Sequence, residues 1–235
     1  MKERETPRFL AIETSGRVGQ VAVAQGLEIR GIRWLDEARR HARDLAPAVS
    51  ELLAEQGWKP RDLDCVLVSS GPGSYTGLRV GIISAEALAY ATGCAVLAID
   101  TFAVIAAQAP ADAMQLAVLA DAQQENVYVQ RFERQAAGAP LQVQSNLAVT
   151  TISEFLSHDD RTAWVTGPAL HIWASRLPSD IRQVQSEHWD PRVEPLVSLG
   201  LCRWQRGERD DLWTLEPLYV RPSAAERKWQ ESQKG

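Results

Sequence analysis

The sequence predicts an α/β fold made of a duplicated unit, and three observations carry this prediction. Short apolar runs alternate with helical patterns through the first half of the chain, in the order β-β-β-α-β-α-β-α. The second half opens with a similar order of strands around a polar turn. The length of 235 residues, with 45% apolar and 23% charged residues, fits a globular protein of one large or two small domains.

The first three strands are predicted to form an antiparallel meander. Residues 9–12 are continuously apolar, and residues 19–24 alternate apolar and small side chains. Gln25-Gly26 then turns the chain into a third strand over 27–34.

The first helix is predicted over residues 44–56. Asp44 can act as its N-cap, Pro47 falls in the first turn where no N–H is required, and Gly57 ends it. Apolar side chains recur along it at helical spacing, at Leu45, Ala48, Val49, Leu52 and Leu53.

A glycine-rich loop follows a strand over 64–68 and opens a helix over 78–92. Glycines allow positive φ in such a turn, and Ser74 or Thr76 can cap the helix. The spacing matches neither a Walker A loop nor Gly-x-Gly-x-x-Gly, so a ligand-facing loop and a structural turn both remain open. The candidate contact residues of this loop are Gly71, Gly73, Ser74, Thr76, Gly77 and Arg79.

After a strand over 95–99 and a short helix from Thr101, the second half repeats the pattern. Predicted strands cover 116–120, 127–132, 141–149 and 163–166, with helices over 152–157 and 191–206 and a last strand over 218–221. The predicted domains are 1–108 and 109–235, with a tail that can pack back on the first domain. Six of the eight tryptophans follow residue 160 and are expected to be packing anchors.

Composition and residue spacing argue against several functions. The net charge of −5 opposes broad electrostatic binding of nucleic acid through this chain alone. Three widely separated cysteines give no disulfide framework, and Cys65 and Cys94 are expected to be buried. Four residues after His41 stands Leu45, and no histidines have metal-ligand spacing, so no metal site is predicted. Without a secretory signal or a membrane-spanning run, the chain is expected to be cytoplasmic and off the membrane.

The helix over 78–92 is apolar or small nearly all round, apart from Arg79 and Glu86. Such a helix is either central or covered by a partner. One face of each of the helices over 44–56 and 78–92 is expected to pack on the chain's own sheet, and we predict a partner interface on the same two helices. Its proposed contact residues are Leu45, Val49, Leu52, Leu53, Gly81, Ala85 and Leu88.

The opening of the chain is similar to that of actin-like ATPases and sugar kinases, in which a carboxylate and the amides of a turn bind magnesium and phosphates. Glu13, Thr14 and Ser15 stand at these positions, and Asp121 is the counterpart in the second half. Glu13 is one methylene longer than the usual aspartate, and the second turn lacks glycines. We therefore interpret these positions as a degenerate phosphate loop, with no catalytic residue.

Several motifs together resemble the TsaB (YeaZ) family, which serves threonylcarbamoyladenosine formation in bacterial tRNA. They are Leu10 to Ser15, His41 with Leu45-Ala46-Pro47, Gly71 to Gly81, Asp121-Ala122 with Glu125 to Tyr128, and Pro217 to Arg221. The match of the glycine loop is long and specific, and the resemblance is weak between about 135 and 210.

The resemblance implies two actin-like (ASKHA, ribonuclease H-like) domains, each a mixed sheet with flanking helices, in a member that has lost catalysis. It also implies a TsaD-like catalytic subunit and a TsaE-like ATPase as partners, and a homodimer when the chain is alone. Any ATP or ADP would then be bound by partner subunits or at their interface, and this chain would need no cofactor. The alternative function is an ATP-dependent phosphotransferase or ATPase of the same superfamily.

Overall fold

A computed structural model describes residues 6–35, 41–157 and 163–219, which form two mixed sheets with flanking helices. The elements of the first sheet and its helices are β1 (Arg8–Glu13), β2 (Gln20–Gln25), β3 (Glu28–Trp34), α1 (His41–Glu55), β4 (Cys65–Gly71), α2 (Tyr75–Thr92), β5 (Ala95–Asp100) and α3 (Thr101–Ala106). Those that follow are β6 (Gln115–Asp121), β7 (Asn126–Glu133), β8 (Gln142–Val143), β9 (Ala148–Thr151), α4 (Ile152–Ser157), β10 (Trp164–Thr166), α5 (Leu170–Trp173) and α6 (Val193–Gln205).

The two sheets share the connectivity of an antiparallel meander and one returning parallel strand. The first has the strand order β3-β2-β1-β4-β5, in which β1, β2 and β3 are antiparallel while β4 runs parallel to β1. In the second sheet β6 pairs antiparallel with β7, and β10 returns parallel to β6 after α4. The duplication that the sequence predicts is therefore present in the backbone.

Alternating side chains of the first sheet build two separate cores, because successive residues of a strand point to opposite faces. Leu10 and Ile12 face α1 and α2, whereas Phe9 and Ala11 face α6. The helix α6 thus covers the first sheet, although it follows the second sheet in the chain. Cys65 and Cys94 are buried, as expected.

Several predicted elements differ from the observed ones. Helix α1 begins at His41, which places Asp44 in its first turn and not at its N-cap. The strand predicted over 141–149 is two short strands, β8 and β9, both paired with β7. Leu218 and Tyr219 are not in a strand, and Val220 and Arg221 lie outside the described residues.

Candidate functional site

The glycine loop connects β4 to α2 and is anchored at the first turn of the helix. The side chain of Ser74 accepts a hydrogen bond from the Gly77 N–H at 3.2 Å, so Ser74 is the N-cap and Thr76 is not. Gly71 has a φ of 109°, a value that favours glycine, and the Gly71–Pro72 peptide bond is cis. The exposed residues of the loop are Gly73, Ser74 and Thr76.

Close packing against the β1–β2 turn accounts for three glycines of this motif. A Cβ atom on Gly73 would lie 2.5 Å from the Ser15 carbonyl oxygen. A Cβ atom on Gly77 would overlap the Thr14 carbonyl oxygen, and one on Gly81 would overlap Thr14 Oγ1. Any larger residue would therefore push the turn and the helix apart.

Hydrogen bonds join the same two segments. Thr14 Oγ1 donates to the Gly77 carbonyl oxygen at 2.7 Å, and the Ser74 N–H donates to the Ser15 carbonyl oxygen at 2.8 Å. The Thr14 N–H donates to Ser69 Oγ at 3.4 Å. The predicted phosphate turn and the glycine loop thus form one packed unit.

The carboxyl group of Glu13 lies at the centre of this unit and is fully buried. Its Oε1 accepts from the Ser15 N–H at 2.7 Å, from Ser15 Oγ at 2.5 Å and from Ser69 Oγ at 3.1 Å. Burial raises the pKa of Glu13 to about 7, although the hydrogen bonds from Ser15 and Ser69 oppose the rise. Among the described residues, Glu13 Oε2 has no hydrogen-bond partner.

The β1–β2 turn does not fit a bound phosphate. The Ser15 N–H, which such a ligand would need, already donates to Glu13 within the chain. Thr14, Ser15 and Gly16 are buried, and a Cβ atom on Gly16 would lie 3.2 Å from Pro191 Cγ. Phosphate-binding turns present free backbone amides to solvent, whereas the amides of Thr14 and Ser15 are already used within the chain.

The two carboxylates of the predicted phosphate loop differ in exposure. Asp121 is exposed and its Oδ1 accepts from the Gln123 N–H at 2.9 Å, whereas Glu13 is fully buried. The two groups therefore do not line one solvent-accessible site. Gln123, Gln124 and Glu125 all have φ values between 53° and 62°, an uncommon conformation for residues other than glycine.

The predicted interface residues mostly face this chain's own sheet. Five of them, Leu45, Leu52, Leu53, Gly81 and Ala85, are buried, because they form the stripes of α1 and α2 that pack on the sheet. Val49 and Leu88 are half-buried against the same core. A partner on these helices would contact other side chains, so the choice of those five as direct contacts needs correction.

The outward face of α2 is apolar. Ile83 is 60% exposed and Tyr90 is 71% exposed, with Ala87 and Ala91 between and beside them. Of the exposed positions of α2, Arg79 alone carries a charge. An exposed apolar helix face of this kind is typical of an interaction surface.

Residues 210–219 run beside this face and are called the strap below. The Asp210 N–H donates to the Val96 carbonyl oxygen at 3.1 Å, and the Leu218 N–H donates to that of Ser70 at 2.8 Å. The ring of Trp213, which is 79% exposed, contacts Tyr90 with centroids 5.7 Å apart. Trp213 is therefore not the packing anchor expected from the sequence.

The strap ends on the glycine loop, at a cluster of three side chains. Tyr219 stacks on Tyr75 with centroids 4.6 Å apart, and Arg79 Nε donates to the Tyr219 hydroxyl at 2.7 Å. The Arg79 guanidinium also lies 4.3 Å from the centre of the Tyr75 ring. Sequence reasoning selected both motifs but did not predict that they touch.

Within residues 6–35, 41–157 and 163–219 no three metal-capable side chains lie together. None of the helices described there is both long enough and apolar enough to cross a bilayer.

Known proteins share this chain's sequence and fold. The family model described as "TsaD: tRNA N6-adenosine threonylcarbamoyltransferase" matches residues 17–156, so the class of the chain is that of TsaD-like domains. The "tRNA threonylcarbamoyladenosine biosynthesis protein TsaB" of Bacillus subtilis is 30% identical, over 96% of this chain and 99% of that protein. The protein of the same name from Escherichia coli is 25% identical, over 94% and 97%. The structure titled "YeaZ from Pseudomonas aeruginosa" has a TM-score of 0.76 at 27% identity, covering 91% of this chain and 100% of that one.

The chain therefore belongs to the TsaB (YeaZ) family, and it has the actin-like fold of that family. These findings confirm the resemblance drawn from the motifs.

Proposed function

We propose that this chain is a non-catalytic partner subunit that binds a TsaD-like threonylcarbamoyltransferase and supports threonylcarbamoyladenosine formation in tRNA. The names of its relatives supply the pathway. The observation that carries a binding role is the apolar outward face of α2, with Ile83 and Tyr90 largely exposed. Covering exposed apolar side chains of this size with a partner lowers the free energy and so favours the complex.

The turn between β1 and β2 supports the non-catalytic part of the proposal. Glu13 occupies the hydrogen bonds that a phosphate would take from Ser15, and the turn is buried. A nucleotide would have to displace a fully buried carboxyl group and open the contact with the glycine loop. ATP or ADP is accordingly assigned to the partner subunits or their interface, and this chain needs no cofactor.

The TsaD-like identity of the partner is supported by the chain's own fold. The family model that matches residues 17–156 is a threonylcarbamoyltransferase model, so the two proteins would share a domain type. Related domains present equivalent helices, and pairing through them is the usual route to pseudo-symmetric dimers. The same surface would support a homodimer when the chain is alone.

The proposal extends to the other components. A TsaE-like ATPase joins the pair, and the contact with tRNA is indirect or weak because the net charge of this chain is −5. The complex would work in the cytoplasm, where tRNA is modified.

The test is co-purification with the cognate TsaD-like subunit, followed by size-exclusion chromatography with light scattering. A one-to-one complex is expected for the parent chain, and Ile83→Asp should abolish it. Ile172→Asp is the matched control, because Ile172 is 54% exposed but lies on α5, beside the second sheet. A mixture in which the two proteins elute separately would overturn the binding role.

The alternative function has its own measurement. Titration calorimetry of the isolated chain with ATP and magnesium should show no binding. ATP hydrolysis that disappears in Glu13→Ala would overturn the non-catalytic assignment and favour a phosphotransferase or ATPase.

A further inference from the structure

We propose that the strap, residues 210–219, forms part of the surface that binds the TsaD-like subunit, and that Arg79 is the residue that positions it. This inference rests on the proposed function. It adds a second segment to the binding surface, distant in sequence from α1 and α2.

Exposed apolar side chains are concentrated at this place. Of the eleven large apolar residues exposed in the part of the chain that the structure describes, five lie on α2 or on the strap. They are Ile83, Tyr90, Trp213, Leu218 and Tyr219. The contact of Trp213 with Tyr90 joins the two segments into one continuous patch.

The patch supplies a large part of the area that a stable complex requires. A fully exposed aromatic side chain offers about 150–250 Å² to a partner. Trp213 and Tyr90 are 79% and 71% exposed and Tyr219 is 38% exposed, so together with Ile83 and Leu218 they offer a large part of the roughly 800 Å² that each partner contributes to a standard interface. The α2 face alone, with Ile83 and Tyr90, falls well short of that area.

The strap is held in place before any partner arrives. The Leu218 N–H bonds to the Ser70 carbonyl oxygen, and Asp210 accepts from the Ala98 N–H at 2.7 Å. At the loop end, Arg79 holds the hydroxyl of Tyr219 while its guanidinium lies over Tyr75. Ordered aromatic side chains lose little freedom on binding, and Trp, Tyr and Arg are the residues that dominate interface energies.

In the complex the occupant of the patch is the TsaD-like subunit, because the strap continues the α2 face assigned to that subunit. In that arrangement Trp213 and Tyr219 contact the partner directly. Arg79 acts through Tyr219, since its bond to the hydroxyl holds that side chain against the first turn of α2.

The experiment is calorimetric titration of Trp213→Ala and Tyr219→Ala against the TsaD-like subunit, after a melting curve has confirmed that each variant is folded. Each should raise Kd at least tenfold, while Trp34→Ala should change it less than twofold. Trp34 is the matched control because it is 59% exposed but lies on β3. This strand is at one edge of the first sheet, whereas β5, to which Asp210 bonds, is at the other edge. Strap variants that bind like the parent, while Ile83→Asp loses the complex, would overturn the inference and leave the proposed function intact.

Three further readouts separate the remaining outcomes. Arg79→Ala should accelerate hydrogen exchange of the Leu218 amide, which bonds to the Ser70 carbonyl oxygen. Arg79→Lys should accelerate it less. Unchanged exchange in Arg79→Ala would overturn the positioning role. Light scattering of the chain alone tests for a second copy, and strap variants that change only self-association would also overturn the inference. Absence of any complex with the parent chain would overturn the proposed function together with this inference.

Discussion

Replacing Glu13 with glutamine should remove a specific part of the pH dependence of stability. Burial raises the pKa of Glu13 from 4.5 to about 7 in the folded chain, so the folded state binds this proton more tightly than the unfolded state does. The resulting stabilisation is fully present below pH 4.5 and is lost as the pH rises through about 7.

The magnitude follows from the same two values. A tenfold change in proton affinity corresponds to about 1.4 kcal/mol. The free energy of unfolding of the parent chain should therefore lose about 3 kcal/mol from this group between pH 4.5 and pH 8. The variant has no proton to release at this position, so that part of the slope should disappear.

The assay is urea unfolding followed by tryptophan fluorescence at pH 5, 6, 7 and 8. In the variant an amide nitrogen would take the place of Oε2, which has no hydrogen-bond partner among the described residues, so the variant should be less stable at every pH. The readout is therefore the slope of the free energy of unfolding against pH, compared between parent and variant. Glu187→Gln, at an exposed position, is the control and should keep the parent slope. Parallel pH profiles for Glu13→Gln and the parent would refute the reasoning.

Four other substitutions test the packing of the first sheet and its helices, each by urea unfolding. Gly77→Ala should lower the free energy of unfolding by about 3 kcal/mol, because its Cβ would overlap the Thr14 carbonyl oxygen. Gly93→Ala, with nothing within 4 Å but a φ of 76°, should cost only about 1 kcal/mol, and equal costs would contradict the packing argument. Ser74→Ala removes the N-cap of α2 and should cost about 1 kcal/mol, so an unchanged midpoint would argue against that cap. Leu52→Arg should unfold the chain, because Leu52 is fully buried; a folded variant would show that α1 can leave the sheet.

The local signals of the sequence predicted most of the fold. The helix over 152–157 was predicted with the bounds observed, because an apolar pattern and a preceding strand define it. The glycine motif predicted the turn and an N-cap at Ser74 or Thr76, of which the structure has Ser74, since both features depend on neighbouring residues. The predicted start of α1, residue 44, lies three residues after the observed start at His41. The helix begins with polar residues, and apolar spacing cannot detect a polar first turn.

Long-range contacts explain what was not predicted. Glu13 accepts a hydrogen bond from Ser69, which is 56 residues away. The hydrogen bonds of this buried carboxyl group therefore depend on the pairing of β1 with β4. Arg79 and Tyr219 are 140 residues apart, and nothing in either motif indicates the other. The interface residues were chosen for apolar spacing, which identifies the face of a helix that packs on its own sheet and not the opposite face.

The return of α6 to the first sheet also has a consequence for biosynthesis. Phe9, Ala11 and Leu67 lie on the face that α6 covers, and α6 begins only at Val193. A ribosome adds about 5–20 residues per second, so the stretch from the end of β5 to α6 takes roughly 5–20 s to synthesise. During that interval α6 does not yet cover one apolar face of the first sheet. Chaperones near the ribosomal exit can bind such an exposed apolar face.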